Sequence, residues 1–572
     1  MIPVLEINEL TLSFSQGKNE TKAVDQLSIR INRGETLGIV GESGSGKSVT
    51  SLAIMQLLSK KAHIHSGEIV LHLKDNEKKD LLHLSDKEIR KLRGNHISMI
   101  FQEPMTSLNP VMKCGKQVDE VLLLHQKLSK KEAKAKTLAL FSEVKLEDAA
   151  AIYEAYPHQL SGGQKQRIMI AMAMACKPAL LIADEPTTAL DVNVQYAVTE
   201  LIRQLKEKYD TTTLFISHDL NLVSNIADYI AVVYKGKIVE YAKTSALFSN
   251  PKHAYTKGLM ACRPPMDKRL KQLPLVDDFL YHQNHAELLM KKENEITDEM
   301  RKQNHEEIYR KKPILKIEHL AVSFAVKKSL FGKVIKSTKA VDGINFEIYQ
   351  GETLGLIGES GCGKTTLSRS LMGLIKADSG KIIFKDLPVS ASDTKAIKSF
   401  RKKVQIVFQD PYGSLNPRLS IGEAIMEPMH AHRLYSKTQC REKTIELLNK
   451  VGLDENSFNR YPHEFSGGQR QRISIARALA LSPEVLICDE SVSSLDVSVQ
   501  AQIINLLNSL KKEFGLTYLF ISHDLAVVRY MSDRIMVMEK GRIIEIQEAD
   551  MLFSRPQQAY TKRLIASIPN FK

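Results

Sequence analysis

The chain has 572 residues, 43% apolar and 26% charged, with a formal net charge of +14 from 80 basic and 66 acidic side chains. One hydrophobic core does not serve that length, and about three or four folding units are expected. The basic balance suits nucleic acid, an anionic membrane surface, an anionic ligand such as a nucleotide, or a generally solvated surface, and charge alone does not choose among them.

Six cysteines (Cys114, Cys176, Cys262, Cys362, Cys440, Cys488) are scattered with no C-x-x-C pair, which argues against a zinc site and a disulfide framework. The N-terminus, MIPVLEINEL, lacks the basic start and apolar centre of a signal peptide. The most apolar long stretch, Ile168 to Ala183, is broken by Lys177 and Pro178. It falls short of the roughly 20 apolar residues a membrane-spanning helix needs. Any membrane role is therefore expected to come through a partner.

The first chemical motif follows an apolar strand, Leu37–Val40. It runs Gly41, Glu42, Ser43, Gly44, Ser45, Gly46, Lys47, Ser48, the pattern G-x-x-x-x-G-K-[ST], and opens a helix predicted over Val49–Leu58. Glycines let the backbone wrap phosphates with N–H groups inward, and the helix N-terminus adds partial positive charge. Lys47 is expected to reach the β- and γ-phosphates of ATP, and Ser48 to ligand Mg²⁺. Gln102 follows a second apolar strand. Ser161, Gly162 and Gly163 belong to an SGGQ turn before a helix predicted over Arg167–Met174. The strand Leu180–Ala183 then ends in Asp184 and Glu185. Such a pair suits a carboxylate holding Mg²⁺ through water and a general base polarising the attacking water. A helix is predicted over Val194–Lys208, and His218 lies in FISHDL from Phe215.

A Lys-, Glu- and Asn-rich stretch, 264–312, opens with Pro264-Pro265 and reads as a solvated linker; the competing reading is a charged docking helix from Asn284 onward. The whole series then returns. After the strand Leu354–Ile357 come Gly358, Glu359, Ser360, Gly361, Cys362, Gly363, Lys364 and Thr365. Gln409, then Ser466, Gly467 and Gly468, then Asp489 and Glu490, then His523 follow in the same order. The copies are 317 apart at the phosphate loop and 305 apart at FISHDL, so the first copy carries extra residues, expected around Lys74–Asp80. So long a period denotes a duplicated domain rather than a solenoid. Alternating strands and helices predict an α/β fold with a parallel sheet in each copy. The expected domains are 1–263, a linker 264–312, and 313–572.

LSGGQ at Leu160–Gln164 and FSGGQ at Phe465–Gln469 resemble the signature of ATP-binding-cassette (ABC) proteins, and the order of all the other motifs is similar to that family's. The resemblance implies two P-loop NTPase (RecA-like) domains, each with a helical subdomain. It implies that Gln102 and Gln409 are Q-loop residues beside ATP and Mg²⁺, and that His218 and His523 are switch histidines. Leu190-Asp191 and Leu495-Asp496 resemble the D-loop, and Phe14 and Phe324 the aromatic that stacks on adenine. Because cassettes of the family pair head to tail, site one would combine Lys47, Asp184, Glu185 and His218 with Ser466, Gly467 and Gly468. Site two would combine Lys364, Asp489, Glu490 and His523 with Ser161, Gly162 and Gly163. Neither set lacks a reacting group, so two competent sites are expected, despite Ser491 in place of Pro186 and Phe465 in place of Leu160.

FQEPMTSLNP from Phe101, FQDPYGSLNP from Phe408, ALDVNVQ from Ala189, SLDVSVQAQ from Ser494, LFSNPKHAYTKGL from Leu247 and LFSRPQQAYTKRL from Leu552 resemble one branch. That branch is the ATPase subunits of dipeptide, oligopeptide, nickel and glutathione importers, here in fused form. The resemblance implies ATP hydrolysis coupled to import of a small solute. The implied partners are two permeases, whose cytoplasmic helices dock near the Q-loop, and an extracytoplasmic solute-binding protein, with no nucleic acid. The implied location is the cytoplasmic face of the inner membrane. The cysteine cluster of some single-cassette members is reduced here to Cys262, so no iron–sulfur centre is expected. The rival reading is a soluble tandem cassette acting on the ribosome, against which the importer-like Q-loop and C-terminal elements stand. The cargo is not legible.

Overall fold

The computed structural model describes residues 3–16, 19–73, 77–102, 107–187, 192–328, 334–389, 393–493 and 495–566. Leu190 and Asp191 of the first D-loop, residues 103–106 of the first extended Q-loop and Ser494 lie outside them. The chain divides into two units, one built on 1–260 and one on 261–278 with 282–568.

The strands of the first unit are β1 (Pro3–Gln16), β2 (Asn19–Asn32), β3 (Thr36–Val40), β4 (Ala62–His72), β5 (Lys78–Asp80), β6 (Ile97–Ile100), β7 (Leu180–Asp184), β8 (Thr212–Ser217), β9 (Tyr229–Tyr234) and β10 (Lys237–Lys243). They form an antiparallel sheet in the order β2-β1-β4-β5 and a six-stranded sheet in the order β10-β9-β3-β8-β7-β6. In the second sheet β3 lies between β8 and β9, all parallel, and only the β9–β10 pairing is antiparallel. Every residue of β3, β7 and β8 is buried, as strands covered on both faces must be. Their apolar runs therefore lack the alternation of a half-solvated strand. The signature helix starts at Gly162, earlier than the sequence suggested, because Ser161 caps it: its hydroxyl accepts the N–H of Gln164, and Gln164 reaches back to the N–H of Ser161.

The second unit repeats this plan with β11 (Pro313–Lys328), β12 (Val334–Tyr349), β13 (Thr353–Ile357), β14 (Ser379–Phe384), β15 (Leu387–Pro388), β16 (Val404–Val407), β17 (Val485–Asp489), β18 (Thr517–Ile521), β19 (Arg534–Glu539) and β20 (Arg542–Glu548). The sheets run β12-β11-β14-β15 and β16-β17-β18-β13-β19-β20. Gly67 and Gly380 occupy equivalent left-handed positions within β4 and β14, where a Cβ would come within 2.6 Å of the Leu10 Cα and 2.5 Å of the Leu320 Cα. They are 313 residues apart, so part of the extra length of the first copy precedes Gly67 instead of gathering at Lys74–Asp80.

The stretch 264–312 departs from the solvated linker expected. It forms helices Val276–Tyr281, Gln283–Leu289 and Asp298–Tyr309, and buries Leu270, Leu273, Val276, Ala286, Leu289 and Ile308. Several of its polar groups are spent on the second cassette. The Arg269 guanidinium donates to the carbonyls of Ser532 (3.0 Å) and Tyr530 (3.4 Å) and pairs with Asp550 (3.2 Å). Arg301 pairs with Glu548 and Asp550, and Asn505 exchanges two hydrogen bonds with the backbone of Leu273. Burial, with the charge of Arg301 beside it, pushes the Arg269 guanidinium down to about 10. The first copy carries Lys243 and Ser245 where the second has Glu548 and Asp550, a set that offers two arginines nothing. Sequence reading missed this because charged residues usually mark a solvated face. Here the charges are met by opposite charges some 250 residues away in the chain.

Arg269→Ala will lower the stability of the full chain by about 2 kcal/mol, since it removes a largely buried guanidinium that serves a part-buried acid and two carbonyls. Lys22→Ala, which breaks a pair whose lysine is 63% exposed, will shift the melting temperature little. Thermal unfolding of the two variants side by side checks this, and equal melting would refute it.

Candidate active sites

Each site is assembled by four parallel strands whose C-terminal ends share one edge of a sheet. In the first unit the order β3-β8-β7-β6 sets the phosphate loop, His218, Asp184-Glu185 and Gln102 along that edge. Ligand crevices of open α/β sheets lie there, outside the carboxyl ends of the strands. The second unit sets its own loop, His523, Asp489-Glu490 and Gln409 along β13-β18-β17-β16.

The loops close as the glycines require. Gly46 and Gly363 have φ of 102° and 115°, and a Cβ there would come within 2.3 Å and 2.1 Å of the carbonyls of Ala23 and Ala340. Only glycine fits both demands. Ser43, Gly44 and Ser45, like Ser360, Gly361 and Cys362, span the turn before the helices Lys47–Ile54 and Lys364–Leu371 begin. Lys47 is 5% exposed, and its ammonium is held by the carbonyls of Gly41 (2.6 Å) and Glu42 (2.7 Å). Lys364 is held likewise by Gly358 (2.7 Å) and Glu359 (3.0 Å). Each loop thus keeps a buried cation at the helix start, which suits an anionic ligand.

The carboxylates divide into two environments. Asp184 accepts from Ser48 (3.0 Å) and Ser51 (3.1 Å), and burial pushes its carboxyl above the ordinary range. Asp489 accepts from Ser368 (2.7 Å) and is pushed up by burial too, while its Oδ1 is buried without a hydrogen-bond partner. A buried, partnerless carboxylate oxygen beside a Ser or Thr hydroxyl fits a hydrated divalent cation, because oxygen donors of this kind suit Mg²⁺. Glu490 behaves oppositely. Burial raises its carboxyl, but the hydrogen bond and charge of His523, with the charge of Lys364, outweigh that and hold it below the ordinary range. It stays an ionised base.

Glu185 accepts from Gln102 (3.1 Å) and lies 3.3 Å from His218 Nδ1; Glu490 accepts from Gln409 (2.7 Å) and lies 3.6 Å from His523 Nδ1. The structure therefore brings glutamate, glutamine and histidine together in each unit. Both glutamates have left-handed backbones, φ 45° and 48°, in a conformation that L side chains rarely adopt. Such strain clusters where a side chain must be aimed. Their N–H groups bond to the neighbouring strand at Ile216 and Ile521, which helps to fix the turn.

Ser161, Gly162, Ser466 and Gly467 are exposed at the N-termini of their helices, where backbone donors lack intrahelical partners. Gly163 and Gly468 admit close packing: a Cβ would stand 3.1 Å from Val194 and 2.3 Å from Val499. Phe14 is half-buried against the core, and Phe324 is 46% exposed. Phe408, next to Gln409, lines an apolar groove with Met372, Leu374 and Leu481, flanked by Glu427 and Arg477. The serines Ser51 and Ser368 were missed in the sequence. They sit one turn beyond Ser48 and Thr365, at the same 317-residue offset, and that repeat was the signal available.

Comparison with known proteins agrees with this geometry. The family model described as ABC transporter matches residues 24–188 and 341–493, and that described as oligopeptide/dipeptide transporter, C-terminal region, matches 239–281 and 544–572. A relative from Pectobacterium atrosepticum, named glutathione import ATP-binding protein GsiA, is 44% identical over 99% of this chain and 89% of its own. The protein of that name from Salmonella choleraesuis matches at the same 44% over the same shares of the two chains, and that from Escherichia coli at 43%. With both cassettes and both C-terminal regions accounted for in one polypeptide, the chain belongs to the ABC transporter family, as an ATP-hydrolysing subunit.

Proposed function

We propose that this ATPase powers the import of a small solute of the glutathione or short-peptide class through two separate permease subunits, supplied by an extracytoplasmic binding protein. It would act at the cytoplasmic face of the inner membrane. The observation that carries this reading is the importer-type C-terminal region after both cassettes, joined to near full-length identity with relatives named for glutathione import. The groove beside Gln409 is where a cytoplasmic helix of a permease would dock, since Gln409 bonds directly to Glu490 and would relay the docking to the site.

The geometry supports the following assignment of catalytic roles. Lys47 and Lys364 exchange their carbonyl partners for phosphate oxygens, and the N–H groups of Gly44–Ser48 and Gly361–Thr365 cradle the remainder. Ser48 with Asp184, and Thr365 with Asp489, would hold Mg²⁺, with Gln102 and Gln409 close by. When bound, the ion neutralises charge developing on the phosphates. Glu185 and Glu490 would accept the proton of the attacking water, a role that the aimed carboxylates of both, and the lowered pKa of Glu490, suit. His218 and His523 orient those carboxylates and meet the γ-phosphate. Ser161–Gly163 and Ser466–Gly468 offer their helix N-termini to nucleotide phosphate.

Glu185→Gln and Glu490→Gln will each remove about half or more of steady-state ATP turnover, and the double variant will lose roughly 10²-fold or more. A phosphate-release assay reads this directly, and full turnover in either single variant would end the two-site reading. For the cargo, uptake of labelled glutathione and of a labelled dipeptide will be measured in a deletion strain. The unaltered chain will restore one of them and the double glutamine variant neither. Restored ATPase activity with no change in either uptake would overturn the proposed cargo class.

A further inference from the structure

The importer-type C-terminal regions reach back into the phosphate loops. In the first unit the hydroxyl of Tyr255 accepts the backbone N–H of Glu42 at 3.0 Å. In the second the hydroxyl of Tyr560 accepts that of Glu359 at 2.9 Å. These are the second residues of the two loops, more than 200 positions upstream of the tyrosines. The contact therefore occurs twice, formed independently by each copy. Both rings are buried, Tyr255 completely and Tyr560 to within 5%.

The tyrosines are held firmly. Glu240 accepts the N–H groups of Lys252 (2.8 Å) and His253 (3.0 Å), just before the helix Ala254–Ala261 that carries Tyr255. Glu545 accepts those of Gln557 (2.8 Å) and Gln558 (3.1 Å), and the hydroxyl of Thr561 as well, around the start of Ala559–Ala566. A carboxylate taking two or three donors fixes the turn it binds. The ring of Tyr255 further packs on that of Tyr234, with centroids 4.3 Å apart.

The same loop residue is gripped from its other side. Its carbonyl accepts Lys47 Nζ in the first unit and Lys364 Nζ in the second. A lysine that turns toward a phosphate gives up this grip, whereas the tyrosine bond is made away from the lysine and can persist. We propose that Tyr255 and Tyr560 are positioning residues that keep the phosphate loops shaped for ATP, so that the C-terminal regions serve nucleotide binding as well as whatever lies beyond the cassette. This rests on the reading that the two loops hold the ATP phosphates. A loop fixed before its ligand arrives loses less freedom on binding, and affinity rises accordingly.

The test uses the full chain and a fluorescent ATP analogue, with turnover measured in parallel. Tyr255→Phe and Tyr560→Phe keep the ring and remove only the hydroxyl. Each will convert one of the two binding phases to weaker affinity, and the double variant will bind about tenfold more weakly. Turnover at saturating ATP will stay within about twofold. Tyr518→Phe is the control, because that fully buried hydroxyl donates to the carbonyl of Leu507 and its residue pairs with Thr353, at the end of β13 opposite the loop, and it will leave affinity unchanged. Affinity within twofold of the unaltered chain in the double variant would overturn the proposal, as would an equal loss in Tyr518→Phe, which would mark a merely structural effect. An unaltered chain that bound no nucleotide would instead sink the assignment of the loops, and this proposal with it.

Discussion

Four parallel strands lying side by side impose the condition on which everything else in each cassette depends. Because their chain direction is shared, their C-terminal ends meet along one edge, and whatever residue follows each strand is delivered there. The phosphate loop after β3, the histidine after β8, the acid pair closing β7 and the glutamine after β6 are far apart in sequence, yet the sheet register leaves them as neighbours. Strands buried on both faces hold that register tightly, since slipping one past another would misplace apolar side chains throughout the core. The second copy obeys the same condition with β13, β18, β17 and β16.

On that edge, two adjacent carboxylates are given opposite chemistry. The aspartate, sunk against serine hydroxyls, is destabilised as an anion by burial and gains from a cation. In the second cassette the glutamate one residue on is turned out by its left-handed backbone and meets an imidazole and an amide, and there the balance of burial and charge favours the anion. One peptide bond separates a carboxyl pushed up by burial from one held down by its neighbours. The division needs no long-range field; it comes from which way the strand end throws each side chain.

Much of this was legible in the sequence, and for a physical reason. The phosphate loop, the acid pair, the SGGQ turn and the histidine are each specified by residues a few positions apart, so local spacing encodes them, and duplication printed every one of them twice. Helix and strand positions were legible in type more than in boundary: the first loop's helix runs Lys47–Ile54 rather than Val49–Leu58. What escaped depends on contacts across long stretches of chain. Ser51 and Ser368 matter only because a strand 133 and 121 residues later, respectively, ends against them. The tyrosine in the motif HAYT and its counterpart in QAYT were visible as family marks, with nothing local to say that their hydroxyls meet a loop near the start of the cassette. The stretch 264–312 misled for the same cause, because its arginines look solvated until Glu548 and Asp550 are in place.

That last feature bears on how such a chain can be rearranged. The residues that receive Arg269 and Arg301 exist in one copy only, since Lys243 and Ser245 stand at the corresponding places in the other. The two halves carry near-equivalent sets of site residues and yet are not interchangeable as pieces of a polypeptide. A gene in which their order was exchanged, with the joining segment left in the middle, would place two arginines against a lysine and a serine and leave Asp550 with Arg529 as its arginine partner. The fusion therefore carries a direction, written outside the catalytic motifs, and recombination between the two copies would erase it before it touched the chemistry.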